Sequence, residues 1–148
     1  MSTHTHVRFF VCSTALRIPS EIGRCTDLSV LSLETNDLSR SIPSQLGQLS
    51  RLEWLMLYDN KLSSSIPTEL GSLEDLTWLR LEKNGNLRGQ IPTELGSLTS
   101  LEHFSVQGTS VTGSVPSGFC DLIVAEQLMV GVECPNVRCY CGCYDSST

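Results

Sequence analysis

The sequence predicts an α/β solenoid, a right-handed superhelix of stacked coils with a short-stranded parallel sheet on the concave face and 3-10 or irregular turns on the convex face. Three observations predict it. The pattern L-x-x-L-x-L-x-x-N-x-L, complete at Leu52, Leu55, Leu57, Asn60 and Leu62, stands one period earlier at Leu28, Leu31, Leu33, Asn36 and Leu38. It stands one period later at Leu76, Leu79, Leu81 and Asn84, with the closing leucine displaced by one to Leu87. The prolines Pro19, Pro43, Pro67, Pro92 and Pro116 keep the same time, with a single extra position between Pro67 and Pro92. A fixed period of about 24 residues with this signature specifies supersecondary units that bury their apolar faces only by stacking on one another.

The 148 residues form a single domain in three stretches: a degenerate first repeat over 1–24, regular repeats over 25–119, and a last degenerate coil with a cysteine-rich cap over 120–148. A net charge of -6, from 10 basic and 16 acidic side chains, argues against a general nucleic-acid or anionic-membrane surface. Glu21, Glu69 and Glu94 recur at one repeat position and belong on a solvated outer surface. No apolar run reaches the length of about 18 residues that a membrane span needs. Seven cysteines in so short a chain point to an oxidising compartment, yet Met1–Cys12 is no export signal. The expectation is a piece of a longer exported chain whose signal lies upstream of Met1; the alternative is a cytosolic protein with free thiols.

Taken in order, shifting the pattern back by one period puts Val7 and Phe9 at strand core positions and Cys12 at the place of the asparagine. His4 and His6 read as solvent-facing residues of a terminus, not as metal ligands. In the regular coils the L-x-L segment alternates sides as a short strand, so Leu31, Leu33, Leu55, Leu57, Leu79 and Leu81 point inward. The chain turns directly afterwards. Asn36, Asn60 and Asn84 each carry a donor and an acceptor on one short side chain, which predicts a stacked ladder serving the buried turn backbone.

The other half of each coil reads L-x-x-x-I-P-x-x-L-G-x-L. Ile42, Ile66 and Ile91 fill the core, and each proline fixes φ ahead of a short 3-10 turn. The Gly of the later coils near Ile-Pro or Val-Pro, Gly89 or Gly113, is Arg40 and Ser64 in the earlier ones, which predicts a conformation open to side chains there. The insertion at Gly85-Asn86 falls just after the asparagine turn and is expected to bulge locally.

The full pattern over residues 16 to 119 resembles the plant-type leucine-rich repeat. That resemblance implies an extracellular recognition module, of the kind found in receptor-kinase ectodomains, receptor-like proteins and inhibitors of secreted hydrolases.

Later landmarks fade. Leu101, Phe104, Val106, Thr109 and Val111 form a substituted copy, and Ser114–Leu122 keeps register with Gln90–Leu98. Adding one more period places Leu128 and Val130 where Phe104 and Val106 stand, with a final strand within Gln127–Val132. An end coil leaves apolar core and a strand edge exposed, and a stapled tail would cover both. The disulfide candidates are Cys12, Cys25, Cys120, Cys134, Cys139, Cys141 and Cys143, with Cys12 to Cys25 a possible bridge at the first end, one thiol left over, and the connectivity open. Thiolate binding of a soft metal by Cys139, Cys141 and Cys143 is the alternative to disulfides, which are preferred. The tail is also similar to those of some algal leucine-rich repeat proteins.

The outward strand positions carry the functional reading. Stacking the coils makes rows: Val30, Trp54, Trp78, His103; Ser32, Met56, Arg80, Ser105; Glu34, Tyr58, Glu82, Gln107; and Thr35, Asp59, Lys83, Gly108. Aromatic residues with arginine dominate binding hot spots. The candidate ligand-binding set is therefore Trp54, Met56, Tyr58, Asp59, Trp78, Arg80, Glu82, Lys83, His103, Ser105 and Gln107. Arg80 is expected across Trp54 or Trp78 as a cation–π pair, or else paired with Glu82 or Asp59. A protein or peptide ligand is the expected partner, with polysaccharide the alternative. No nucleophile, base and oxyanion turn converge, so neither catalysis nor a cofactor or metal is expected.

Overall fold

The computed structural model describes residues 5–8, 17–125, 127–132 and 137–138. Its parallel strands fall into two sheets along the solenoid. The first runs β1 (Thr5–Arg8), β2 (Leu28–Ser32), β4 (Trp54–Met56), β6 (Trp78–Arg80), β8 (His103–Ser105) and β10 (Met129–Gly131) in spatial order. The second holds β3 (Ser39–Arg40), β5 (Lys61–Ser64), β7 (Asn86–Gln90), β9 (Ser110–Ser114) and β11 (Val137–Arg138), again each beside its counterpart one coil away.

Period-2 alternation places the leucines as expected. Leu31, Leu55, Leu57, Leu79 and Leu81 are fully buried, and Leu33 is 2% exposed. Register across the first sheet follows the repeat: Val7 stands opposite Leu31, Leu31 opposite Leu55, Leu55 opposite Leu79 and Leu79 opposite Phe104. Phe9 and Cys12 lie outside the described residues.

The second sheet is not part of the sequence expectation. Its strands pair through backbone while carrying short polar side chains such as Ser39, Ser63, Ser64 and Ser110, so they lack the apolar alternation that marks a half-buried strand. Each is bent shortly before Ile-Pro or Val-Pro by a residue at positive φ: Arg40 at 70°, Ser64 at 71°, Gly89 at 92° and Gly113 at 101°. Arg40 and Ser64 therefore adopt positive φ like the glycines, which corrects the expectation of a backbone suited to side chains. The fold imposes the bend, and these two residues bear its local cost.

On the convex side stand 3-10 helices at Ser20–Arg24, Ser44–Gln48, Thr68–Ser72 and Thr93–Ser97. Each is preceded by a proline with φ between -60° and -68°, preset for entry and lacking an N–H that would go unpaired. The glycine of L-G-x-L is a close-approach residue: a Cβ on Gly23, Gly47 or Gly71 would stand 2.4, 2.3 and 2.4 Å from the carbonyl oxygens of Gln45, Glu69 and Glu94 in the next coil.

The asparagine ladder forms, with one twist. Asn60 accepts from the Leu38 amide at 3.0 Å and donates to Leu33 and Leu57 carbonyls; Asn84 accepts from the Leu62 amide at 3.0 Å and donates to Leu57 and Leu81. Asn36 is exposed less than its neighbours in the turn and donates to the Leu33 and Glu34 carbonyls of its own coil. The inserted Gly85-Asn86 lets the Leu87 amide reach back to the Asn84 carbonyl at 2.9 Å. That amide then needs nothing from the next coil, where Thr109 stands and its hydroxyl donates to the Val106 carbonyl at 2.6 Å.

The last coil departs from the count. Its convex element is an α-helix, α1 (Gly118–Val124), and Val130, not Leu128, stands opposite Phe104. The coil is thus longer there than the regular repeat, and extending the regular period sets its strand too early in the chain. Leu128 and Val132 remain buried, and Phe119 meets Phe104 edge-on at 5.4 Å.

Cys25 is a free, exposed thiol, which corrects its assignment to a bridge with Cys12. It occupies the place of the fully buried Leu49, Leu73 and Leu98. Cys120 is disulfide-bonded. Cys134, Cys139, Cys141 and Cys143, with the bridges and thiolate metal site expected of them, lie outside the described residues.

Candidate functional site

Strand pairing brings the first row together as expected. Trp54 stands opposite Trp78 and Trp78 opposite His103. The indole rings of Trp54 and Trp78 lie 5.8 Å apart at 40°, and the His103 ring lies 3.7 Å from that of Trp78. Trp54 is 42% exposed, whereas Trp78 and His103 are half-buried because each is covered by its neighbour. Val30, at the start of this row, is buried at 6% exposure. It stands beside β1, so the row opens to solvent only from Trp54 onward.

Met129 extends the row at the other end. It stands opposite His103 and is 67% exposed. The sequence pattern misses it because a regular step from His103 points at Gln127 instead; the coil that carries α1 supplies the extra length. Beside it, Thr77, Ser100, Glu102, His103, Gln127 and Met129 are among the residues lining a shallow hollow of about 510 Å³.

In the second row Met56 is opposite Arg80 and Arg80 opposite Ser105, all half-buried. The Arg80 guanidinium lies 4.4 Å from the centre of the Tyr58 ring and pairs with the Glu82 carboxylate. The stacking expected on a tryptophan is thus made on Tyr58, while the tryptophans are occupied with each other.

Glu82 departs most from expectation. It stands on an outward row between Tyr58 and Gln107, yet is 7% exposed. One oxygen pairs with Arg80; the other, Oε2, has no hydrogen-bond partner among the described residues. Asp59 and Lys83 are exposed as expected, but neither is in a strand. Both sit in the left-handed turn that follows it, at φ 56° and 57°, where Thr35 has 53° and Gly108 has 65°. Their amides donate to the carbonyls of Glu82 and Gln107 in the following coil, at 2.9 and 2.7 Å, and hold the turns in line.

Among the described residues no group of three His, Cys, Asp or Glu side chains could hold a metal ion, and no helix is long and apolar enough to cross a membrane.

Comparison with known proteins gives a consistent picture. A family model described as Leucine Rich Repeat matches residues 51–73. The chain is similar to the plant peptide hormone receptor RGFR1, solved in complex with RGF2, at 34% identity and a TM-score of 0.73, covering 83% of this chain and 19% of that one. It is similar to a chain of the BIR3–SERK2 complex from Arabidopsis thaliana at 35% identity and a TM-score of 0.67, covering 84% and 67%. It is similar as well to the Arabidopsis receptor kinase HAESA complex with the peptide hormone IDA and the co-receptor SERK1, at 37% identity and a TM-score of 0.69, covering 83% and 20%. The chain thus spans about a fifth of the receptor chains RGFR1 and HAESA. Comparison with curated protein sequences gives no match.

Proposed function

The chain belongs to the leucine-rich repeat family, and from that premise we propose that it is a non-catalytic binding module of receptor-like or secreted type that holds a protein or peptide on the first sheet's open face. The observation that carries this reading is the continuous row Trp54, Trp78, His103 and Met129, one residue from each of four successive coils, with Arg80 and Tyr58 beside it. Scattered single apolar residues need no explanation, but a contiguous aromatic row does. Its centre is already packed by ring–ring contact, so a partner meets a preorganised surface and loses little side-chain freedom on docking. The similar receptors named above were solved with peptide hormones, which favours a peptide as the ligand class. Such a module works outside the cell or at its surface, where a disulfide at Cys120 persists.

Polysaccharide is the weaker reading. Sugar rings stack on open aromatic faces, and with His103 against Trp78 at 3.7 Å the row leaves Trp54 as its one exposed indole, short of a multi-ring platform.

The test is selection of a displayed random peptide library on the immobilised chain. Binders should be recovered, and Trp54→Ala with Trp78→Ala should release them while the far-ultraviolet circular dichroism still reports the folded backbone. Binders indifferent to both tryptophans would remove this face as the site.

A further inference from the structure

We propose that the partner on this face is a basic peptide, with a lysine or arginine side chain against the Trp54–Trp78 pair and another in the hollow beside Glu102. The proposal rests on the reading of this face as the binding surface and names the chemistry of what it binds.

Charge complementarity carries it. Five carboxylates, Glu34, Glu53, Asp59, Glu82 and Glu102, border the aromatic row from Trp54 onward, against two bases, Arg80 and Lys83. The two bases are not equal. Arg80 is occupied within the protein, paired with Glu82 and stacked on Tyr58, so Lys83 is the base left for an anionic ligand among these described residues. An acidic segment laid here would meet Glu34, Asp59 and Glu102 with little to offset them, a like-charge juxtaposition that excludes partners of the wrong sign.

The site also offers what a cation needs. Trp54 is the most exposed ring of the row, and an indole face is the preferred aromatic partner of a guanidinium or ammonium. Among the described residues the hollow has Glu102 as its one carboxylate and no lysine or arginine in its lining, while Ser100 and Gln127 supply further acceptors. The Thr77 hydroxyl there already donates to the Glu53 carbonyl at 3.1 Å, which leaves its oxygen to accept.

The experiment separates local charge from net charge, because a chain at -6 attracts any polycation weakly. Peptides selected on the full chain are sequenced, and one is measured against three proteins at physiological salt. These are the parent chain, Asp59→Lys with Glu102→Lys on this face, and Glu69→Lys with Glu94→Lys on the convex side. The two double variants change net charge equally. Lysine at 59 suits the backbone, since Lys83 holds the same left-handed turn one coil on.

The expected outcome is enrichment of lysine and arginine among binders, with dissociation constants raised about tenfold or more by reversal on the concave side and by less than about twofold on the convex side, beyond a screening length of about 8 Å. Equal weakening by both variants overturns the proposal. Neutral or acidic binders that still need Trp54 and Trp78 overturn it while the peptide-binding reading stands. Recovery of no binders overturns both.

Discussion

The imidazole of His103 rests on the indole of Trp78 with ring centres 3.7 Å apart, closer than Trp78 lies to its other neighbour, Trp54. The histidine therefore holds the central tryptophan in place. His103→Ala should cost about 1 kcal/mol of stability beyond the area lost, and His103→Phe should recover most of it. Urea unfolding gives the magnitude, and the near-ultraviolet circular dichroism of Trp78 should weaken in the alanine variant alone.

The ladder makes a graded prediction. Asn84 is fully buried and serves the Leu62 amide and two carbonyls, so Asn84→Ala strands several backbone groups at once. A loss of about 3 kcal/mol is expected. Asn36 is less buried and donates within its own coil, so Asn36→Ala should cost about 1 kcal/mol. Equal losses in denaturant titrations would contradict the view that reaching between coils is what matters.

Two glycines of one sequence separate close approach from chain freedom. A Cβ at Gly47 would sit 2.3 Å from the Glu69 carbonyl oxygen, whereas one at Gly85 meets nothing within 4 Å. Gly47→Ala should lower stability by about 2 kcal/mol or more through forced separation of coils. Gly85→Ala should be neutral or stabilising, within about 1 kcal/mol, by restricting the unfolded chain. Thermal melts of the two variants check the contrast.

Ser64 bears a left-handed backbone that glycine adopts freely. Relief of about 1–2 kcal/mol on Ser64→Gly is offset by about 0.5–1 kcal/mol of chain entropy, for a small net gain in melting temperature. Gly113, at φ 101°, lies well outside the left-handed well near about 57°, so Gly113→Ala should instead cost about 1–3 kcal/mol.

Thiol chemistry distinguishes the two described cysteines. Under native, non-reducing conditions iodoacetamide should label the exposed Cys25 and leave Cys120 unmodified, as read by peptide mass spectrometry.

The fold is legible because each buried leucine repeats at a fixed distance and cannot be moved without exposing it. The aromatic row is legible for the same reason, since Trp54 and Trp78 follow from the parity of Leu55 and Leu79. Parity says which side a residue faces but not what lies over it, and so Glu82 reads as outward although Arg80 and its surroundings cover it. Val30 fails in the same way, beside β1. Met129 and the second sheet are hidden for other reasons: a helical coil that changes the count, and strands whose pairing is written in backbone alone.

Parallel strands are spaced about 4.8 Å apart, whereas same-face side chains of an extended partner recur about every 6.7 Å. From Trp54 to Met129 there are three gaps, about 14 Å, nearly equal to two partner steps of about 13 Å. A straight ligand crossing the strands thus coincides with the wall at Trp54 and again at Met129, and falls between its own side chains at Trp78 and His103. On the proposed reading the surface would act as a vernier scale, with discrimination between peptide sequences concentrated at its two end marks.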